Sequence, residues 1–146
     1  MPKRFTLSEA RQLLPQVNRL IRDAVECKSE YQNAERAIQA FSGQITLMGG
    51  MVVDRSPVLE ARARREHCAE RLKQTLENIH EIGCEVKDLD TGLIDFPSRF
   101  RGQEVYLCWK LGEPDINHWH SVHEGFAGRK PIDQDFIDNH EGDRPH

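Results

Sequence analysis

The hydrophobic pattern of this 146-residue chain changes period once, at Gly83 and Cys84. Before that point apolar residues recur every three or four positions, and after it they alternate in short runs of β-branched and aromatic residues. A helix buries a stripe of period 3.6 whereas a strand buries every second residue. The sequence therefore predicts one α+β domain, in which a long antiparallel two-helix hairpin is followed by a small antiparallel β-meander and a C-terminal loop and tail.

Local signals give the bounds of the hairpin, which we predict over residues 5–83. Thr6 and Glu9 form a capping box at the start of the first helix, whose apolar spacing continues to Phe41. The stretch "SGQITLMGGMVVDRSP" interrupts this spacing, and its paired glycines predict a turn. Ser56 and Pro57 then favour a second helix start, and Gly83 favours its end.

The second half of the chain is predicted to contain three strands over residues 84–112, from "EVKDL", "GLIDFP" and "QEVYLCWKL". Residues 113–132 are predicted to form a histidine-rich loop. Residues 133–146 resemble an acidic tail without regular structure, because few apolar residues remain to be buried there.

Composition argues against several classes of partner. Lys+Arg 20 against Asp+Glu 24 gives a net charge of -4, which does not favour nucleic acid. No apolar run approaches the roughly 20 residues that span a bilayer, and the N-terminal region lacks a secretion signal, so we expect a cytoplasmic protein without membrane contact. The four cysteines form no CxxC pair and are predicted to be free thiols.

Two helices alone leave much of each apolar stripe uncovered. Either the C-terminal segment or a second copy must cover these stripes, and the sequence favours a homodimer whose two hairpins form a four-helix bundle. A separate protein partner would serve the same purpose.

A cluster of histidines near the C-terminal end is the chemically most suggestive segment. The string "HWHSVHE" contains imidazole and carboxylate groups that suit a divalent transition metal such as Zn, Fe, Ni or Mn. On a strand, His118 and His120 point to the same side. In a helical turn, His120, His123 and Glu124 share one face instead. The alternative is a solvated polar loop. The predicted metal ligands are His118, His120, His123 and Glu124.

Other residues would strengthen or replace that site. Approach of Glu113, Asp95 or Cys108 to the same point would favour a metal. Cys108 and His120 could instead form a nucleophilic pair, although an apolar strand setting favours a core cysteine.

A Glu-x-x-His spacing on the second helix, at Glu77 and His80, matches di-iron bundles. Since Ile79 occupies the apolar stripe, this pair is predicted to lie on the surface. The arginines of "EARARREHCAERLK" alternate with glutamates, as on a solvated helix face.

The segments "RFTLSEARQLLPQV", "DFP", "EVYLCWKLGE", "WH" and "GFAGR" resemble a bacterial family called domain of unknown function 2203, over about Arg4 to Ile132. The resemblance implies this architecture and a bacterial cytosolic setting, and it carries no catalytic residues. Two functions follow as hypotheses. One is a metal-binding protein with the histidine cluster as its site. The other is a non-catalytic homodimeric scaffold or interaction module, and enzymatic activity is left open.

Overall fold

A computed structural model describes residues 3–47 and 54–143 of the chain. It contains two long helices followed by an antiparallel sheet, which confirms the predicted α+β fold. Contacts divide the described residues into two compact units: unit one holds 3–22 and 76–143, and unit two holds 23–47 and 54–75. Within the described residues, neither these helices nor any other could span a membrane.

Unit two consists of the facing parts of helices α1 (Leu7–Leu47) and α2 (Ser56–Ile82). Asp23 accepts from the Thr75 hydroxyl at 3.0 Å, and Glu35 pairs with Arg65 at 2.6 Å. Later residues of α1 thus contact earlier residues of α2, so the two helices are antiparallel as predicted. The buried apolar side chains between them are small, namely Ala24, Cys27, Ala34, Val58, Ala61 and Cys68.

The first helix is longer than predicted. It continues past Phe41 to Leu47, since Gly43 costs only about 1 kcal/mol in a helix interior. The Ser42 hydroxyl is satisfied within the helix by the Ile38 carbonyl, at 3.1 Å. The turn predicted at Gly49 and Gly50 lies outside the described residues.

Unit one begins with the capping box, which the structure confirms. The Thr6 hydroxyl accepts from the Glu9 amide at 3.1 Å, and the Glu9 carboxylate accepts from the Thr6 amide at 2.9 Å. A third amide of this turn, that of Leu7, donates to His140 Nε2 at 2.9 Å. At the other end of the hairpin Gly83 has φ 110, the left-handed conformation expected after a helix.

The three predicted strands are present as β1 (Glu85–Asp88), β2 (Leu93–Phe100) and β3 (Gln103–Lys110). A two-residue turn with positive φ at Arg101 and Gly102 joins β2 to β3, as the twist of a hairpin requires. Three further strands follow: β4 (His118–Ser121), β5 (Lys130–Pro131) and β6 (His140–Glu141). The strand order in the sheet is β1-β2-β3-β4-β5, and β6 pairs with the end of β2 at Arg99 and Phe100.

The loop and tail that follow the meander also contain short regular elements. Residues 113–132 contain β4, which pairs with the outer edge of β3, and β5, which pairs with β4. The tail contains helix α3 (Gln134–Asn139), which follows its N-cap Asp133, whose side chain accepts from the Phe136 amide at 2.9 Å. The Phe136 ring is fully buried and stacks on Trp119, which anchors the segment.

The two faces of the sheet differ in chemistry because strand side chains alternate. One face carries the buried pairs Ile94 with Trp109 and Phe96 with Leu107, and Phe5 packs edge-on against Phe96. The opposite face, between these rows, carries polar and ionisable side chains. The single-domain organisation and the homodimer remain predictions.

Candidate metal centre

Strand pairing brings three potential ligands together on the polar face of unit one. Asp95 of β2 lies directly opposite Cys108 of β3, so the two side chains point to the same side of the sheet. His120 of β4 lies opposite Tyr106, one row further along, and its ring reaches diagonally to the carboxylate of Asp95. Three neighbouring strands therefore contribute one donor each.

These donors are closely spaced and excluded from solvent. One ligand atom from each of Asp95, Cys108 and His120 lies within 4.8 Å of the other two. The exposed fractions are 1% for Asp95, 0% for Cys108 and 3% for His120. Among the described residues this is the group of histidine, cysteine and acidic side chains whose geometry suits a metal ion.

The hydrogen bonds of His120 leave a proton to be accounted for. Its Nδ1 lies 2.8 Å from the Ser121 carbonyl, which only accepts, so Nδ1 carries a hydrogen. Its Nε2 lies 3.0 Å from both carboxylate oxygens of Asp95. A neutral imidazole and an ionised carboxylate would have no hydrogen between them. The pair therefore needs one additional proton, or a cation that takes its place.

Burial also raises the pKa of both neighbouring acids. For Asp95, desolvation raises the pKa above its ordinary value, and the charge and hydrogen bond of His120 oppose that rise. Desolvation, with a smaller contribution from the nearby Asp95 carboxylate, raises the pKa of the Cys108 thiol to about 12. The thiol is therefore protonated at neutral pH unless a metal ion displaces its proton. This pKa makes a nucleophilic Cys108–His120 pair ineffective.

His118 lies beside the group but bonds elsewhere. It is the β4 residue opposite Cys108, yet its Nδ1 accepts from the Arg129 guanidinium at 2.5 Å. Arg129 also donates to both carboxylate oxygens of Glu113, at 2.9 and 2.8 Å. Glu113 thus approaches His118, with an oxygen 3.9 Å from Nδ1, rather than the three-residue group.

The other two predicted ligands lie outside the group. His123 is exposed, in the turn after β4. Glu124 accepts from the Ser121 amide at 3.2 Å and from Lys130 at 2.6 Å, and these bonds lower its pKa to about 2. Of the four predicted ligands, the structure brings His120 into the group and places His118 next to it.

Two partners of His120 could not be identified by proximity in the sequence. Asp95 and Cys108 lie on other strands, and only the register of the sheet shows that they face the imidazole. What the sequence does show is one polar residue within the apolar pattern of each strand, Asp95 in β2 and Cys108 in β3. The Glu77 and His80 pair is exposed, and Ile79 between them is buried, as predicted for a helix surface.

A protein-family model described as "Uncharacterized conserved protein (DUF2203)" matches residues 3–132, which is most of the chain. The chain belongs to this family. The match includes all of β1 to β5 and each residue of the candidate metal centre. No curated protein and no solved structure shows significant similarity to the chain.

Proposed function

We propose that this protein binds a divalent transition-metal ion through Asp95, Cys108 and His120. The observation that carries the proposal is the convergence of a carboxylate, a thiol and an imidazole, all buried, within 4.8 Å. The bound ion would connect β2, β3 and β4, since each strand supplies one ligand.

The spacing of the ligands supports this role. Two nitrogen or oxygen ligands at about 2.0–2.1 Å from a tetrahedral zinc ion lie about 3.3 Å apart. The separation between His120 Nε2 and the Asp95 oxygens is 3.0 Å, so a displacement of a few tenths of an ångström would admit the ion.

The hydrogen bond at the other ring nitrogen supports it as well. Metal-bound histidines usually donate their second N–H to a carbonyl or carboxylate, which fixes the tautomer. The Ser121 carbonyl already holds the Nδ1 hydrogen, so the Nε2 lone pair faces the site when the additional proton leaves.

The donor types favour a particular class of ion. Thiolate and imidazole ligands suit Zn²⁺, Fe²⁺ and Co²⁺, whereas Mg²⁺ and Ca²⁺ prefer oxygen. A dipositive ion with one carboxylate, one thiolate and one neutral imidazole forms an electrically neutral buried unit. Neutrality matters because an uncompensated charge in such a site is costly.

The test is a metal-binding measurement on untagged full-length protein with matched cysteine variants. The protein is stripped with chelator and titrated with Co²⁺, and the thiolate-to-cobalt charge-transfer absorption is recorded. We expect one ion per chain, with the absorption abolished in Cys108→Ser and retained in Cys84→Ser, a second buried thiol whose pKa is also raised to about 12. Wild-type protein that binds no cobalt, or a Cys108→Ser protein with an unchanged spectrum, would contradict the proposal.

A second measurement does not depend on the colour of cobalt. A ligand at 100 times its dissociation constant stabilises the folded state by about 2.7 kcal/mol. Zn²⁺ should therefore raise the free energy of unfolding of wild-type protein by about that amount at this concentration. The isosteric Asp95→Asn protein should lose most of the gain, and His123→Ala should keep it.

A further inference from the structure

We propose that His118 is the fourth ligand of this metal ion, and that Arg129 holds its ring away from the site until the ion binds. The inference rests on the proposed metal function. It assigns the coordination position that Asp95, Cys108 and His120 leave open in a tetrahedral site.

The register of the sheet places His118 closer to the site than sequence order suggests. Asp95 pairs with Cys108, and Cys108 pairs with His118, so these three residues form one row across β2, β3 and β4. Paired residues point to the same side of a sheet, with Cβ atoms about 4.5–5.5 Å apart. His120, the ligand from the neighbouring row, precedes the next turn on the same strand and points to that side too.

The present position of the His118 ring is fixed by a charged donor. Arg129 donates to Nδ1 at 2.5 Å, and the imidazole is 35% exposed, unlike the three buried donors. Its ring nitrogens are not among the atoms that lie within 4.8 Å of one another. Rotation of the side chain about its own χ angles would move the ring from Arg129 toward Cys108 without a change in the strand.

The exchange leaves Arg129 with a partner. Both Glu113 oxygens lie within 2.9 Å of the same guanidinium nitrogen, and they remain there when His118 departs. The movement therefore breaks one hydrogen bond and forms a metal–ligand bond. Arg129 also stacks on Phe126 with its guanidinium carbon 4.7 Å from the ring centre, which keeps its position independent of His118.

The experiment compares Co²⁺ affinities and visible spectra of wild type, His118→Ala, Arg129→Met and the double variant. His123→Ala is the matched control, because His123 lies exposed in the same segment. Loss of an outer partner of a metal ligand weakens binding by about 10-fold to 100-fold, so loss of a direct ligand should weaken it at least about tenfold. The intense bands typical of four-coordinate cobalt should also diminish in His118→Ala.

The Arg129→Met variant tests the competing bond. It should bind cobalt at least about tenfold more tightly, the equivalent of one hydrogen bond from a charged donor that no longer opposes binding. This gain should disappear in the double variant, because no ring is left to release. A gain that persists there would mean that Arg129 acts by its charge alone, and it would overturn the exchange, as would the absence of a gain in the single variant.

The outcomes separate this inference from the proposed function. If wild-type protein binds no cobalt, or if Cys108→Ser binds it equally well, the three-residue site itself is refuted. If binding depends on Cys108 and Asp95 while His118→Ala matches His123→Ala in affinity and spectrum, only the role of His118 is refuted.

Discussion

Replacement of Asp95 separates the hydrogen-bonding role of this residue from its charge. Asp95→Ala removes the partner of His120 Nε2, and both side chains are at most 3% exposed. A buried neutral donor or acceptor left unpaired costs about 1–3 kcal/mol, and a broken buried ion pair costs about 3–5 kcal/mol. We expect a loss near the boundary of these ranges, about 3 kcal/mol in the metal-free protein.

Asp95→Asn should be far milder in the same protein. Its amide nitrogen can donate to Nε2 of a neutral imidazole whose Nδ1 still donates to the Ser121 carbonyl, and its oxygen can accept from the Cys108 thiol. All the polar groups are then paired, so the expected cost is below about 1 kcal/mol.

Urea unfolding in chelator, followed by tryptophan fluorescence, measures both costs. Both tryptophans, Trp109 and Trp119, belong to unit one, so the signal reports the sheet that holds the site. The exposed Asp138→Ala serves as control, with an expected change below about 0.5 kcal/mol. Equal losses in Asp95→Ala and Asp95→Asn at a constant m-value would refute the hydrogen-bond argument.

Three further predictions concern protons, alkaline pH and the C-terminal segment. Metal binding should release about two protons, one from the thiol and one from the His120–Asp95 pair, as measured by calorimetry in buffers of different ionisation enthalpy. Folding raises the pKa of the Cys84 thiol from 9.0 to about 12, which stabilises the protein fully below pH 9 and progressively less as pH rises toward 12. Cys84→Ala should therefore flatten the decline in unfolding free energy over that range. Phe136→Ala should cost about 3–5 kcal/mol in urea unfolding, whereas Ile137→Ala, 43% exposed, should cost little; similar values would show that α3 does not anchor the tail.

The parts of the fold that could be predicted are those with repeated local signals. The capping box marks the start of α1, and the positive-φ glycine marks the end of α2. The alternation along β2 and β3 extends over enough residues to specify each strand. The elements that were missed are short. Strand β6 has two residues and helix α3 has six, and both depend on contacts with β2 and with the Trp119 ring rather than on their own pattern.

The candidate site was predictable only from its densest segment. Three histidines within seven residues predict a site at the segment that forms β4, but the neighbouring strands decide which of these histidines is buried. His120 lies one row away from the pair Asp95 and Cys108, whereas His123 lies beyond the last paired residue of the strand. Register depends on hydrogen bonds between strands far apart in the chain, so residue spacing alone cannot supply it.

Unit one combines residues from both ends of the sequence, which affects the order in which its parts can fold during synthesis. Asp23–Thr75 separates its two parts in the sequence, and the Phe5 amide binds the Pro97 carbonyl at 2.7 Å. During synthesis the opening residues therefore leave the ribosome long before the sheet that receives them, whereas unit two is continuous and can assemble early. The Asp143 amide, which binds the Arg4 carbonyl at 3.1 Å, emerges later than every strand of the sheet. Nascent chains that have not yet reached Asp143 would expose the apolar surface of the sheet to chaperones and proteases.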